Sequence, residues 1–282
     1  MNDRIEVKKT YKLYIGGAFP RSESGRTYEV HGSDGVFIAN PCLSSRKDLR
    51  DAVLSARAAQ QGWVGASAYN RGQVLYRIAE MMEGRSAQFA TEIALLDGVS
   101  LAQAELEVLT AIDRWVWYAG WSDKLASIAG STNPVSGSFY NFTIPEALGV
   151  VGAIAPEAKS LLGLVDAIAP IIVSGNTTIV LASTRAPLPA ITFAEVLATS
   201  DLPGGVCNIL TGEKSELAPW FASHMDIDGL DISGIEDESL ISELKVAGAQ
   251  NLKRIHTFTQ VQSPQRILAF MEAKTIWHPI GV

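Results

Sequence analysis

The chain has 282 residues, 47% hydrophobic and 19% charged, an ordinary globular mixture with room for one large core or two modest ones. Its formal net charge of −7 argues against a nucleic-acid partner, which requires a basic face to meet phosphates. Two cysteines, Cys42 and Cys207, make neither a disulfide framework nor a metal cluster.

Taken from the start, the run MNDRIEVKKTYK carries no apolar leader core, and no later stretch is long and apolar enough to span a bilayer. The expected placement is cytoplasmic, with no membrane partner. Residues 12–40 alternate short β-prone runs with Gly-Gly, Ser-Gly and Asp-Gly, which predicts hairpins. Between 46 and 130 the pattern changes. RKDLRDAVLSARAAQQGW, YNRGQVLYRIAEMMEGRSAQFATEIALLDG and LAQAELEVLTAIDRWVWYAGWSDKLA place apolar residues at i, i+3, i+4 and i+7, so three amphipathic helices are predicted. Asn133-Pro134 closes that block. SGSFYNFTIPEALGVVGAIAP then predicts a two-stranded excursion, turned near Gly137 and Pro145, that runs back into a buried strand.

From 149 onward strands and helices alternate. GVVGAIA, TTIVLAS, VCNILTG, DIDGLDIS and LKRIHTF are strand-like, and LLGLVDAIAPIIVSG, ITFAEVLATS, SELAPWFASH and ESLISELKVAGA between them are helix-like. Parallel strands need crossovers of this length, so the predicted fold class is α/β. A Rossmann-like parallel sheet with flanking helices follows an N-terminal helical segment.

Several segments carry a family likeness. LYIGGAF, WYAGWSDKLA, ALGVVGAIAP, SGNTTIV, DLPGGVCNILTG, SHMDIDGLDISG and NLKR resemble landmarks of the NAD(P)-dependent aldehyde dehydrogenases, in that family's order. ILAFMEAKTIWHPIGV, at 267–282, resembles the tail strand of the family's oligomerisation arm. In active members a whole catalytic domain, with the nucleophilic cysteine, separates the NLKR region from that tail. Here at most eleven residues, Thr257 to Ile267, lie between them. The helix pair before Gly130 and the missing functional residues resemble the non-catalytic second module of two-module aldehyde dehydrogenases.

The resemblance implies what each position once did. The family's oxyanion-donating asparagine matches Ala158, whose methyl cannot donate a hydrogen bond to developing charge. Its ribose-holding lysine and glutamate match Leu181 and Thr184. Of its glycine-rich loop Gly212 is kept, while Lys214 and Ala218 replace further glycines. After Ser233 and Gly234 the family's pyrophosphate-side serine becomes Ile235, followed by Glu236, Asp237 and Glu238. Three carboxylates suit a helix N-terminus but repel a pyrophosphate. The general-base glutamate falls near Phe258, and no cysteine follows Cys207. No catalytic residue is therefore expected. Ser183, Gly212, Ser233 and Gly234 are left as remnants of cofactor binding, with no cofactor expected and NAD or NADP as the alternative.

Other residues have plainer explanations. Cys207 sits mid-strand as a small buried apolar residue, and Cys42, in the loop ANPCLSS, is expected as a surface or half-buried thiol without a base beside it in sequence. His31, His224, His256 and His278 lack metal-ligand spacing, so no metal is expected. Trp115, Trp117 and Trp121 suit helix packing better than an aromatic cage. A G-x-G-x-x-G fingerprint is absent around Gly149 and Gly152.

The expected organisation is a nucleotide-binding-type domain from 1–132 and 149–260, an arm from 133–148 with 268–282, and no catalytic domain. Within the arm, Ser136–Ile144 and Lys274–Val282 are the expected strands. The resemblance implies that such an arm pairs with a neighbouring subunit by strand addition. The expected function is a non-catalytic subunit that assembles with, and supports or regulates, a full-length aldehyde dehydrogenase. The alternatives are an NAD(P)-dependent module completed in trans by a partner's catalytic domain, and a self-assembling dimeric scaffold.

Overall fold

The computed structural model describes residues 9–259 and 262–281; Gln260, Val261 and Val282, which belong to the expected junction and tail, lie outside it, as do residues 1–8. A short hairpin comes first: β1 (Val30–His31) pairs antiparallel with β2 (Phe37–Ala39), as the Asp-Gly turn predicts. Upstream, Tyr14 and Ile209 exchange backbone hydrogen bonds, so the N-terminal segment covers one edge of the main sheet.

The helical block is more divided than its periodicity predicts. It holds α1 (Arg46–Gly65), α2 (Ala68–Glu83), α3 (Ser86–Asp97), α4 (Leu101–Ala119) and the short α5 (Leu125–Ala129). Ser45 opens α1 in a capping box with Asp48, and Ser100 opens α4 in one with Gln103. The second predicted helix breaks at Gly84-Arg85, where glycine weakens helical preference. Arg85 Nη1 also binds Glu195 Oε2 at 2.6 Å, which turns the chain there.

β3 (Ser131–Asn133), β4 (Phe139–Ala147) and, at the far end of the chain, β10 (Met271–Pro279) form a three-stranded antiparallel sheet in the order β10-β4-β3. Gly137, at φ +105°, makes the expected turn. Pro145 does not. It lies inside β4, opposite Ala273, with its missing N–H on the side that the three residues of β3 do not reach.

The main body follows the predicted alternation closely. β5 (Val150–Ile154), α6 (Leu162–Val173), β6 (Thr177–Leu181), α7 (Leu188–Leu197), β7 (Cys207–Leu210), α8 (Lys214–Ser223), β8 (Gly229–Asp231), α9 (Glu238–Ala249) and β9 (Arg254–His256) build an all-parallel sheet ordered β7-β6-β5-β8-β9. α1, α8 and α9 pack on one face, while α6 and α7, backed by α2, α3 and α4, cover the other. All twelve residues of α6 are buried because it is enclosed between the sheet and α4. A last helical turn, α10 (Pro264–Leu268), leads into β10. No helix among the described residues is long and apolar enough to cross a membrane.

Candidate functional site

In an open parallel sheet, ligands bind beyond the carboxyl ends of the strands where strand order reverses. Here that point lies between β5 and β8, and every expected remnant sits around it. Ser183 follows β6, Gly212 follows β7, and Ser233 and Gly234 follow β8. Gly234 is forced by space: a side chain there would begin 2.3 Å from the Ala155 carbonyl oxygen.

These groups are engaged with one another. Glu157, after β5, accepts hydrogen bonds from Ser183 Oγ at 2.7 Å, Arg185 N at 3.1 Å and Thr184 N at 3.3 Å. Oε1, which accepts Thr184 N, also lies 2.6 Å from Lys214 Nζ, and that ammonium donates to the Gly234 carbonyl at 3.1 Å. Thr184 Oγ1 donates to the Gly212 carbonyl at 2.7 Å. Burial pushes the Glu157 carboxyl up, but Lys214, Ser183 and the Arg185 amide outweigh it and hold it below the usual carboxylate range. The ends of β5, β7 and β8 are thus tied by Lys214 and Glu157, and the end of β6 joins them through hydrogen bonds of Ser183 and Thr184. Sequence reasoning noticed Lys214 only as a lost glycine; its charge opposite Glu157 was the missed signal.

The other matched positions surround this pair. Ala158 is exposed, Leu181 is buried at the end of β6, and Ile235 is buried before α9. Glu236, Asp237 and Glu238 are exposed at the start of α9, where Asp237 caps Ser239 N at 2.9 Å.

Beyond β8 and β9 the short junction packs back onto the sheet. Phe258 N donates to Ser233 Oγ at 2.9 Å, and its ring stacks on His256 at 5.6 Å. Arg266, on α10, lies over the Phe258 ring at 4.8 Å and pairs with buried Asp231 at 2.9 Å. A second buried pair, Arg114 with Asp166, lies beside it. Burial pushes the Asp166 carboxyl up to about 6 despite the two arginines nearby. The space left between Pro156, Asp166, Asp231, Ser233, Phe258 and Arg266 is about 150 Å³, too small for a dinucleotide. Neither the Arg266–Asp231 pair nor the Arg114–Asp166 pair was legible in the spacing.

Both cysteines are buried. For Cys207 this agrees with its mid-strand position, and burial pushes its thiol up, away from the reactive thiolate. Cys42 is more buried than expected, at 4% exposed: its loop is held by Thr211 Oγ1, which donates to the Cys42 carbonyl at 2.6 Å, and by the Cys42 N–H donating to the Tyr11 carbonyl at 3.3 Å. Trp115 stacks on Phe193 at 5.6 Å within the helical core, and Trp117 meets Trp121 at 5.4 Å. Among the described residues, no three His, Cys, Asp or Glu side chains group closely enough to hold a metal ion.

The arm sheet is built differently from the body. Phe139, Tyr140, Trp277 and Ile280 are large, apolar and exposed on it. Thr143 and Thr275 bond across the strands at 3.0 Å, and Lys274 pairs with Glu146 at 2.9 Å. Its outer strand β10 is exposed along most of its length, with no neighbouring strand on its outer side among the described residues.

Comparison with known proteins matches residues 19–276 to the family described as the aldehyde dehydrogenase family. The human protein named retinal dehydrogenase 2 is 34% identical over 271 residues, covering 94% of this chain and 51% of that protein. Cytosolic 10-formyltetrahydrofolate dehydrogenase of Pongo abelii is 31% identical, covering 93% of this chain and 30% of that protein. Among solved structures, PnpE from Pseudomonas sp. WBC-3 superposes with a TM-score of 0.84 at 26% identity, over 88% of this chain and 50% of that one. An NAD+ complex of aldehyde dehydrogenase from Bacillus cereus superposes with a TM-score of 0.82 at 25% identity, over 88% and 50%. The chain spans about half the length of the retinal dehydrogenases it matches.

Proposed function

The chain belongs to the aldehyde dehydrogenase family, and from that premise we propose that it serves as a non-catalytic subunit. In this reading it assembles through its arm with a full-length aldehyde dehydrogenase, which it supports or regulates. One contrast carries the reading. At the ancestral cleft the strand ends are tied by the Glu157–Lys214 pair, while the arm keeps an exposed nine-residue outer strand.

Each side of that contrast has a physical reason. A pyrophosphate needs open backbone N–H groups or cations at the strand ends. Lys214, the cation facing that space, is already neutralised by Glu157, and Glu236, Asp237 and Glu238 would repel the anion. An NAD(P)-dependent module completed in trans would need that path open. The arm's exposed aromatic and aliphatic side chains, with an uncovered strand edge, instead suit pairing with another subunit.

Co-expression with a full-length aldehyde dehydrogenase of the same host, followed by purification on a tag carried by this chain, tests the proposal. The full-length enzyme should co-elute in fixed ratio. Recovery of this chain without any such enzyme would sink it.

A further inference from the structure

The hydrogen-bonding phase of β10 can be read from its ends. Ile280 N donates to the Ser138 carbonyl at 2.9 Å, and Leu148 N donates to the Phe270 carbonyl at 3.2 Å. Antiparallel pairs alternate, so the even-numbered residues of β10 bond to β4 and the odd-numbered ones direct their N–H and C=O outward. Met271, Ala273, Thr275, Trp277 and Pro279 therefore form the outer edge. Met271 follows this phase, since its carbonyl accepts Arg254 Nη1 at 2.7 Å.

We propose that this edge pairs with β10 of a second copy, antiparallel about a two-fold axis at Thr275, joining two arm sheets into one of six strands. The proposal rests on reading the arm as an assembly element, and it names the resting partner of that element. Centred on Thr275, Ala273 faces Trp277 of the partner subunit, and each exchanges two backbone hydrogen bonds with the other. Thr275 does the same with its own counterpart.

The next pair outward would set Pro279 against Met271 of the partner subunit. Pro279 lacks the N–H that this carbonyl would receive, and the carbonyl is already satisfied by Arg254. The one missing donor thus coincides with the one occupied acceptor. A two-fold pairing that opposes the outward residues keeps an even register sum, so the nearest alternatives centre on Lys274, setting Met271 against Trp277 of the partner subunit, or on Ile276, setting Pro279 against Ala273 of the partner subunit. Either would leave Pro279 or the Arg254-bound Met271 out of step.

Side chains agree with the same register. Glu272 comes opposite His278 and Lys274 opposite Ile276, so no like charges face each other. The large Trp277 meets the small Ala273, and threonine meets threonine. The edge is also one that needs covering: Trp277 is 57% exposed beside an open strand. A full-length partner adding to this edge would displace the second copy, so the homodimer is a reserve form of the same arm.

Light scattering and native mass on the purified full chain test this, together with two cysteine variants. Wild type should be a dimer at micromolar concentration, and Thr275→Pro should weaken dimerisation at least ten-fold while circular dichroism stays unchanged. Residues facing each other as a hydrogen-bonded pair have Cα atoms about 5.5 Å apart, within disulfide reach. Under oxidation Thr275→Cys should therefore give a covalent dimer, and Lys274→Cys should not. A monomeric wild type, a dimer indifferent to Thr275→Pro, or crosslinking through Lys274→Cys instead would each overturn the inference. A wild-type monomer that still captures a full-length aldehyde dehydrogenase would leave the proposed function standing. A dimer that captures none would do the reverse.

Discussion

Lys214 Nζ lies 2.6 Å from a carboxylate oxygen of Glu157 and 3.1 Å from the Gly234 carbonyl, so one side chain joins the ends of three strands. These are the strand ends that would have to receive a dinucleotide. Calorimetric titration with NAD and with NADP should show no saturable binding at up to about millimolar ligand, on the order of 4 kcal/mol of binding free energy. Micromolar affinity for either would contradict the proposed loss of cofactor binding.

The same pair also stabilises the fold modestly. Lys214 is largely shielded, but the Glu157 side chain is 36% exposed, so solvent screening discounts the interaction. Lys214→Ala should cost roughly 1 kcal/mol in chemical denaturation. A loss several times larger would mean that the pair is less wet than its exposure indicates.

Arg266 does a heavier task. It comes from the eleven-residue junction, yet its guanidinium is buried against Asp231, which is 1% exposed. Arg266→Met would leave that carboxylate buried without its partner, at a cost of about 3–5 kcal/mol. Urea melts of the two proteins measure this. A variant as stable as wild type would show that the junction does not seal the sheet end.

Asp166 gives the stability a pH signature. Its carboxyl is raised from 3.8 to about 6 by burial, so between those values the folded chain holds a proton that the unfolded chain releases. The charged form thus weighs against folding above about pH 6, and that penalty is relieved as pH falls toward 4. Asp166→Asn lacks this titration. The stability of wild type relative to Asp166→Asn should therefore grow on acidification from pH 7 to 4, by at most roughly 3 kcal/mol. A constant difference across that window would refute the assignment.

Thiol accessibility checks the cysteines. Cys42 and Cys207 are 4% and 1% exposed, so a thiol reagent should react with neither quickly in the native chain and with both in denaturant. Rapid native labelling of one equivalent would place a thiol at the surface.

Much of the fold was readable because periodicity is local. The five strands and four helices of the parallel sheet follow from alternating apolar runs, and α6, buried all round, reads as continuous hydrophobicity. Breaks were less legible. The Gly84-Arg85 corner depends on Arg85 meeting Glu195, 110 positions away, and the straight path through Pro145 depends on how short β3 is. The cleft residues could be matched one by one, but the Glu157–Lys214 and Arg266–Asp231 pairs join distant positions, and no spacing rule brings such partners together. Cys42 is buried by partners distant in sequence: its N–H donates to the Tyr11 carbonyl, its carbonyl accepts from Thr211, and Ser44 N donates to the Thr211 carbonyl.

In the proposed assembly the arm joins this chain to a catalytic relative, and this chain's own cleft does no chemistry. Native mass spectrometry of the full chain mixed with a full-length aldehyde dehydrogenase of its host tests that most directly, with Thr275→Pro as the edge variant. A mixed oligomer is expected for wild type and should be strongly reduced for the variant. Separate, unmixed species at every ratio of the two proteins would contradict it.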